Sequence, residues 1–171
     1  MKTLTYKISF LILFSGLFFS CSGPVGPEGP QGPAGYDANV IYSEWFIGSW
    51  SGTSGDWYFD ADAPDLTADV VERGVILAYI SIKSGDVYAA TVRPLPCYAV
   101  NANWDFLIPG TLGTIEFTSD LSTRPSSNYE FRFIAIPGNI TAKSASVYGK
   151  TVNEWKSMPY KDVCKILNIK E

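Results

Sequence analysis

The 171-residue chain is 15% aromatic and carries a formal net charge of −4. It has no histidine, so the commonest general base and commonest metal ligand are missing. It also has no block of lysine or arginine, which argues against nucleic acid and anionic headgroups as electrostatic partners.

Residues 1–7, MKTLTYK, form a short basic segment, and residues 8–19, ISFLILFSGLFF, a continuous apolar run. A helix of that length rises about 18 Å, too little for a hydrocarbon core of about 30 Å. It has the length of a signal-peptide core, and residues 1–20 read as a lipoprotein signal peptide. Cys21 follows directly and is the expected site of lipidation, tying the chain to membrane lipid. Phe18 and Phe19 depart from the aliphatic and small residues preferred before such a cysteine. The competing reading is an ordinary secreted protein in which Cys21 is incidental. Acylation by more than one chain gives durable anchoring. Ser22 is not the aspartate that often retains lipoproteins at an inner membrane, so the expected address is the outer membrane or cell surface.

A collagen-like tract comes next. Residues 21–37 hold glycine at every third place, Gly23, Gly26, Gly29, Gly32 and Gly35, and proline follows the first four. Proline presets the polyproline II dihedral, and only glycine fits the axis of a three-chain collagen helix. The tract reaches about 45 Å at most at about 3.1 Å per residue. It reads either as a stiff spacer or as a short stub that makes a homotrimer. The ordering entropy of its glycines opposes so short a triple helix.

A lipobox cysteine followed by Gly-Pro-X repeats and then ANVIYSEWF (38–46) resembles the collagen-like-repeat lipoproteins of Gram-negative bacteria. VERGVILAYI (71–80), RPLPC (93–97), YEFRFIAIPG (129–138) and YKDVCKILNI (160–169) add to the likeness. The resemblance covers most of the chain and implies an architecture: anchor, collagen-like spacer and a β-rich C-terminal domain. It implies no activity, and Cys21 is the one functional residue it carries over.

Residues 38–171 read as mainly β. Asn39–Phe46 and Trp57–Phe59 are strand candidates. Gly74–Lys83, nearly all apolar at its start, reads as a central strand. Ser84-Gly85-Asp86 turns it into Val87–Arg93 as a hairpin. Tyr98–Ile108 and Gly113–Thr118 flank Pro109-Gly110 as a second hairpin. Tyr129–Ile136 alternates Tyr, Phe, Phe and Ala with Glu, Arg, Ile and Ile, and Ala145–Tyr148 is a last short strand. This spacing suggests an antiparallel β-sandwich of jelly-roll type, with a barrel as the second choice. Thr67 is placed to cap a helical turn ended by Gly74. Pro159 opens a short C-terminal helix in which Tyr160, Val163, Cys164 and Leu167 share a face.

Three groups of residues bear on chemistry. Cys97 and Cys164 are an even pair in an exported chain, which invites a disulfide; two buried thiols are the alternative. Asp60, Asp62 and Asp65, with Asp69 beyond them, offer oxygen ligands for Ca²⁺, or simply an acidic loop before a helix. Trp45, Phe46, Trp50, Trp57, Tyr58 and Phe59 crowd one stretch, as a sugar-stacking platform or as core. No nucleophile motif or phosphate loop stands out, and no cofactor is expected. The reading is a non-enzymatic surface lipoprotein with a structural or interaction role; the alternative is a carbohydrate-binding module.

Overall fold

The computed structural model describes residues 40–83, 90–138 and 146–171, with side chains of 146 and 147 left aside. The signal peptide, Cys21, the glycine tract and the Ser84–Asp86 turn lie outside the described residues. Helix and strand content makes the chain mainly β. Among the described residues the strands form two five-stranded antiparallel sheets and a small ribbon.

The first sheet is built on two strands, β5 (Val75–Ile82) and β10 (Tyr129–Ile136), paired antiparallel along their whole length. β6 (Thr91–Pro94) flanks β5, and β1 (Ile41–Tyr42) and β2 (Phe46–Ile47) flank β10. The second sheet runs β3 (Ser51–Thr53), β4 (Asp56–Asp62), β9 (Thr114–Ser119), β8 (Ala102–Leu107) and β7 (Cys97–Ala99). Its last three strands follow one another in sequence, a meander that the expected jelly-roll order does not contain.

One cluster of buried side chains draws on both sheets. Ala78, Ile80, Ile82, Tyr129, Phe131 and Phe133 of the first sheet meet Phe59, Trp104, Ile115 and Phe117 of the second, with Trp50 among them. Phe59 stacks on Phe117 at 5.1 Å, and Trp50 meets Phe59 edge-on at 4.6 Å. Such offset and T-shaped pairs suit the ring quadrupole. The opposite face of the first sheet carries Val75, Leu77, Tyr79, Ile134 and Ile136 into a second cluster with Trp155, Tyr160, Val163 and Cys164. β5 and β10 are thus buried on both faces, which explains why they read as apolar runs.

The helices that cover this face are α2 (Val152–Ser157) and α3 (Tyr160–Leu167). α3 is the expected C-terminal helix and ends at Asn168 in the left-handed region (φ 53°). α2 was not expected, although its signal was present in Thr151-x-x-Glu154. The Thr151 N–H donates to Glu154 Oε2 at 2.7 Å, and the Glu154 N–H donates back to Thr151 Oγ1 at 3.3 Å, a capping box. The ribbon before it joins β11 (Ser146–Val147) to β12 (Lys150–Thr151).

Three local features differ from the expected strands. Ile41 pairs with Ala135 and Tyr42 with Ile134, but Phe46 pairs with Phe131, so three residues, 43–45, face two. That is a β-bulge, and it lets both Ile41 and Phe46 reach the core between the sheets while Val40 and Trp45 reach the helix side. The Tyr98–Ile108 segment is two strands, broken at Val100 and Asn101 with φ of 56° and 57°, the dihedrals of a tight primed hairpin turn. The Trp57–Phe59 strand extends over the whole of β4.

Helix α1 (Ala68–Arg73) is capped by Thr67 and stops at Gly74, as expected, but Gly74 is extended (φ −89°) rather than left-handed. Its glycine is required by close approach: a Cβ would lie 2.5 Å from the Val70 carbonyl oxygen and 2.6 Å from that of Ile136. Gly138 is tighter still, with a Cβ at 1.7 Å from the Arg73 oxygen. Because backbone rather than a flexible side chain blocks it, Gly138→Ala is expected to cost about 1–3 kcal/mol, seen as a lower denaturant midpoint.

Candidate functional site

The residues singled out in the sequence do not converge. Asp60 and Asp62 project from the exposed side of β4, opposite Glu116 and Thr114. Asp65 lies past Pro64, beyond the strand end, and Asp69 is paired with Arg73 at 2.9 Å. Among the described residues no three carboxylates or thiols come together to hold a metal. The Ca²⁺ candidate Asp60, Asp62 and Asp65 is therefore not assembled: Asp60 and Asp62 share the outer face of β4, and Asp65 lies past Pro64, beyond the strand end.

The tryptophans form no open platform. Trp50 is 4% exposed, and Trp45 and Trp57 are half-buried against the two clusters. Trp57 Nε1 donates to the Leu121 carbonyl at 2.9 Å, while buried Trp50 Nε1 has no acceptor among the described residues. These rings serve the core and its margin.

Cys97 and Cys164 are free thiols in different places. Cys97 packs at the edge of the core between the sheets, and Cys164 lies under α3 on the other face of the first sheet. Of the two readings of this pair, the structure shows two free thiols rather than a bridge. Burial raises the pKa of both, more than Arg93 lowers it at Cys97 or the Tyr160 hydrogen bond and Arg132 lower it at Cys164. Both thiols are thus protonated at neutral pH, and slow reaction with a disulfide reagent is expected until the chain is unfolded.

The most unusual polar centre is one that the sequence pattern hid. Arg132, on β10, is 2% exposed. Its Nε donates to the Ser43 carbonyl at 2.8 Å, and its Nη1 donates to the Lys170 carbonyl at 2.6 Å and to the Tyr160 hydroxyl at 2.5 Å. The guanidinium lies 5.1 Å from the Tyr42 ring centre and 5.9 Å from that of Trp45. No carboxylate pairs with it among the described residues. A buried charge is tolerated only when its donors are satisfied, and here two backbone carbonyls, a phenol and two ring faces do this. The bulge at residues 43–45 aims the Ser43 oxygen at Nε. Ser43 Oγ also accepts from the Phe133 N–H at 3.1 Å. The centre therefore ties β1, β10, α3 and the C-terminal turn together. Burial, reinforced by the Cys164 hydrogen bond, pushes the Tyr160 hydroxyl up to about 12 despite Arg132; that hydroxyl stays protonated. Tyr79, opposite Arg132 on β5, is pushed up too, chiefly by burial.

Beside this centre lies an open groove of about 600 Å³, floored by Trp45, Val92, Pro94, Pro159 and Tyr160 and edged by Lys161 and Asp162. Its lining is mainly apolar and also includes the charged residues Lys161, Asp162 and Glu171. No helix among the described residues is long and apolar enough to cross a membrane. Comparison with protein-family models, with curated proteins and with solved structures found no match.

Proposed function

We propose that the protein is a surface lipoprotein, held by an acylated Cys21 and displaying its C-terminal domain on a short collagen-like spacer. The single observation that carries this is the order of segments: a basic start, an apolar run of signal-peptide length, Cys21, and a strict glycine period two residues later. The domain so displayed is read as a β-sandwich, because one core draws on facing residues of both sheets. Its role is structural or interactive rather than catalytic. A glycan-stacking role through Trp45, Trp50 and Trp57 gains no support from their burial.

Cys21→Ser is expected to move the protein from the membrane to the soluble fraction and to leave residues 1–20 attached. Intact mass measurement of the membrane-bound form reads this directly: an unmodified Cys21 would reject the anchor. Deleting residues 23–37 tests the tract, with an unchanged monomer supporting the spacer and loss of a trimer supporting the collagen stub.

A further inference from the structure

We propose that the acidic outer face of the second sheet docks on the lysine-bearing helix layer of a second copy of this chain. The argument begins with where the charges fall. Outward positions of the second sheet carry Asp56, Asp60, Asp62, Asp105 and Glu116, and strands β3, β4, β7, β8 and β9 contain no lysine or arginine. Asp60 stands directly opposite Glu116 across the β4–β9 pair, a like-charge arrangement that destabilises a sheet standing alone. None of these five carboxylates has an ion-pair partner among the described residues. Exposed Tyr58, Tyr98 and Leu107 lie on the same face, so it offers apolar contact as well as charge.

The complementary charge sits on the far side of the domain. Residues 150–171 hold five lysines against three carboxylates, and Glu154 is occupied by the cap of α2. Lys156, Lys161, Lys165 and Lys170 are exposed and unpaired among the described residues, next to exposed Val152 and Ile166. The first sheet lies between the two faces, since one of its sides packs on the second sheet and the other on the helices. With packed layers about 10 Å apart, the two charged faces are about 20 Å apart, well beyond the Debye length of about 8 Å at physiological salt. They cannot neutralise each other within one chain, but they can between chains stacked head to tail.

A five-stranded face of this kind measures about 24 by 20 Å, below the roughly 800 Å² per partner of a standard interface. The contact is therefore weak between dilute chains and strengthens wherever chains are held close together. It differs from any contact made by the Gly-Pro tract, and it does not depend on the lipid anchor.

The test uses the full chain in detergent solution, followed by sedimentation at about 20 mM and about 500 mM salt, where the Debye length shrinks to about 4 Å. Association at low salt that weakens at least tenfold at high salt is expected. Asp60→Lys with Glu116→Lys should abolish it, and so should Lys161→Glu with Lys165→Glu. An equimolar mixture of the two variants should restore it, because each then presents a face complementary to the other. Carbodiimide coupling of mixed isotopically light and heavy wild-type chains should join carboxylates of β4 or β9 to lysines of α3 across chains. If the sheet variant fails to fold, the helix variant gives the same answer at exposed positions. A monomer at low salt overturns the proposal. So does association that ignores both salt and charge reversal, which would belong to the Gly-Pro tract instead.

Discussion

Trp104→Ala is expected to lower the unfolding free energy by about 3–5 kcal/mol, a large part of the roughly 5–15 kcal/mol of a typical domain. Trp104 is fully buried on β8. It lies 4.6 Å from Tyr129 and 6.0 Å from both Trp50 and Phe131, so one side chain touches both sheets. Its Nε1 also donates to the Ala99 carbonyl at 2.9 Å, beside the tight turn at Val100 and Asn101. Alanine removes the ring contacts and leaves a cavity that two hydrogen-bonded sheets cannot close. Phenylalanine keeps much of the packing and loses mainly the hydrogen bond, so Trp104→Phe should cost about 1–3 kcal/mol. Denaturant midpoints at constant m separate the two variants. Equal stability of wild type and Trp104→Ala would mean that the two sheets do not share this core.

Arg132→Ala is expected to cost about 3 kcal/mol or more. Three acceptors lose their donor, the part-buried carbonyls of Ser43 and Lys170 and the buried Tyr160 hydroxyl, and a buried group left unsatisfied costs about 1–3 kcal/mol. The loss should be visible locally before the domain unfolds. Amide exchange at Ile169 and in the bulge at Ser43 should quicken, because both are held through the guanidinium. Arg132→Met separates charge from packing, since its side chain still fills the space beside Tyr42 and Trp45. A methionine variant close to wild type would show that the charge itself adds little, as replacement of buried charges by apolar groups often does. Unchanged midpoint and unchanged exchange in Arg132→Ala would remove Arg132 as the clasp.

Much of the local structure was legible because its signals are local. Thr67 and Gly74 bracket α1, and Pro159 precedes α3, because caps and breakers act within a turn of their own position. β5 and β10 announced themselves through length and apolar content. The capping box at Thr151 and Glu154 is an equally local signal for α2, lying next to the short strand at Ser146–Val147. The break at Val100 and Asn101 gave no such warning: valine is an uncommon residue at positive φ. Its place is set by pairing of β7 with β8 and by the Trp104 hydrogen bond.

The site was less legible than the fold. Arg132 falls between Phe131 and Phe133, where period-two alternation reads as a polar residue facing water. It is buried because α3 and the C-terminal turn cover that face, which the strand's own pattern does not contain. The same limit applies to the aspartates of β4: their spacing in the chain suggested a cation site, whereas the pleat and the partner strand set Asp60 against Glu116. The chain by itself determined the order of segments, the mainly β character of residues 38–171 and the turns and caps, because these depend on neighbours a few residues away. The tertiary structure alone decided which faces are covered, where the buried Arg132 sits and that the outer face of the second sheet carries its carboxylates together, because burial and cross-strand pairing depend on residues distant in sequence.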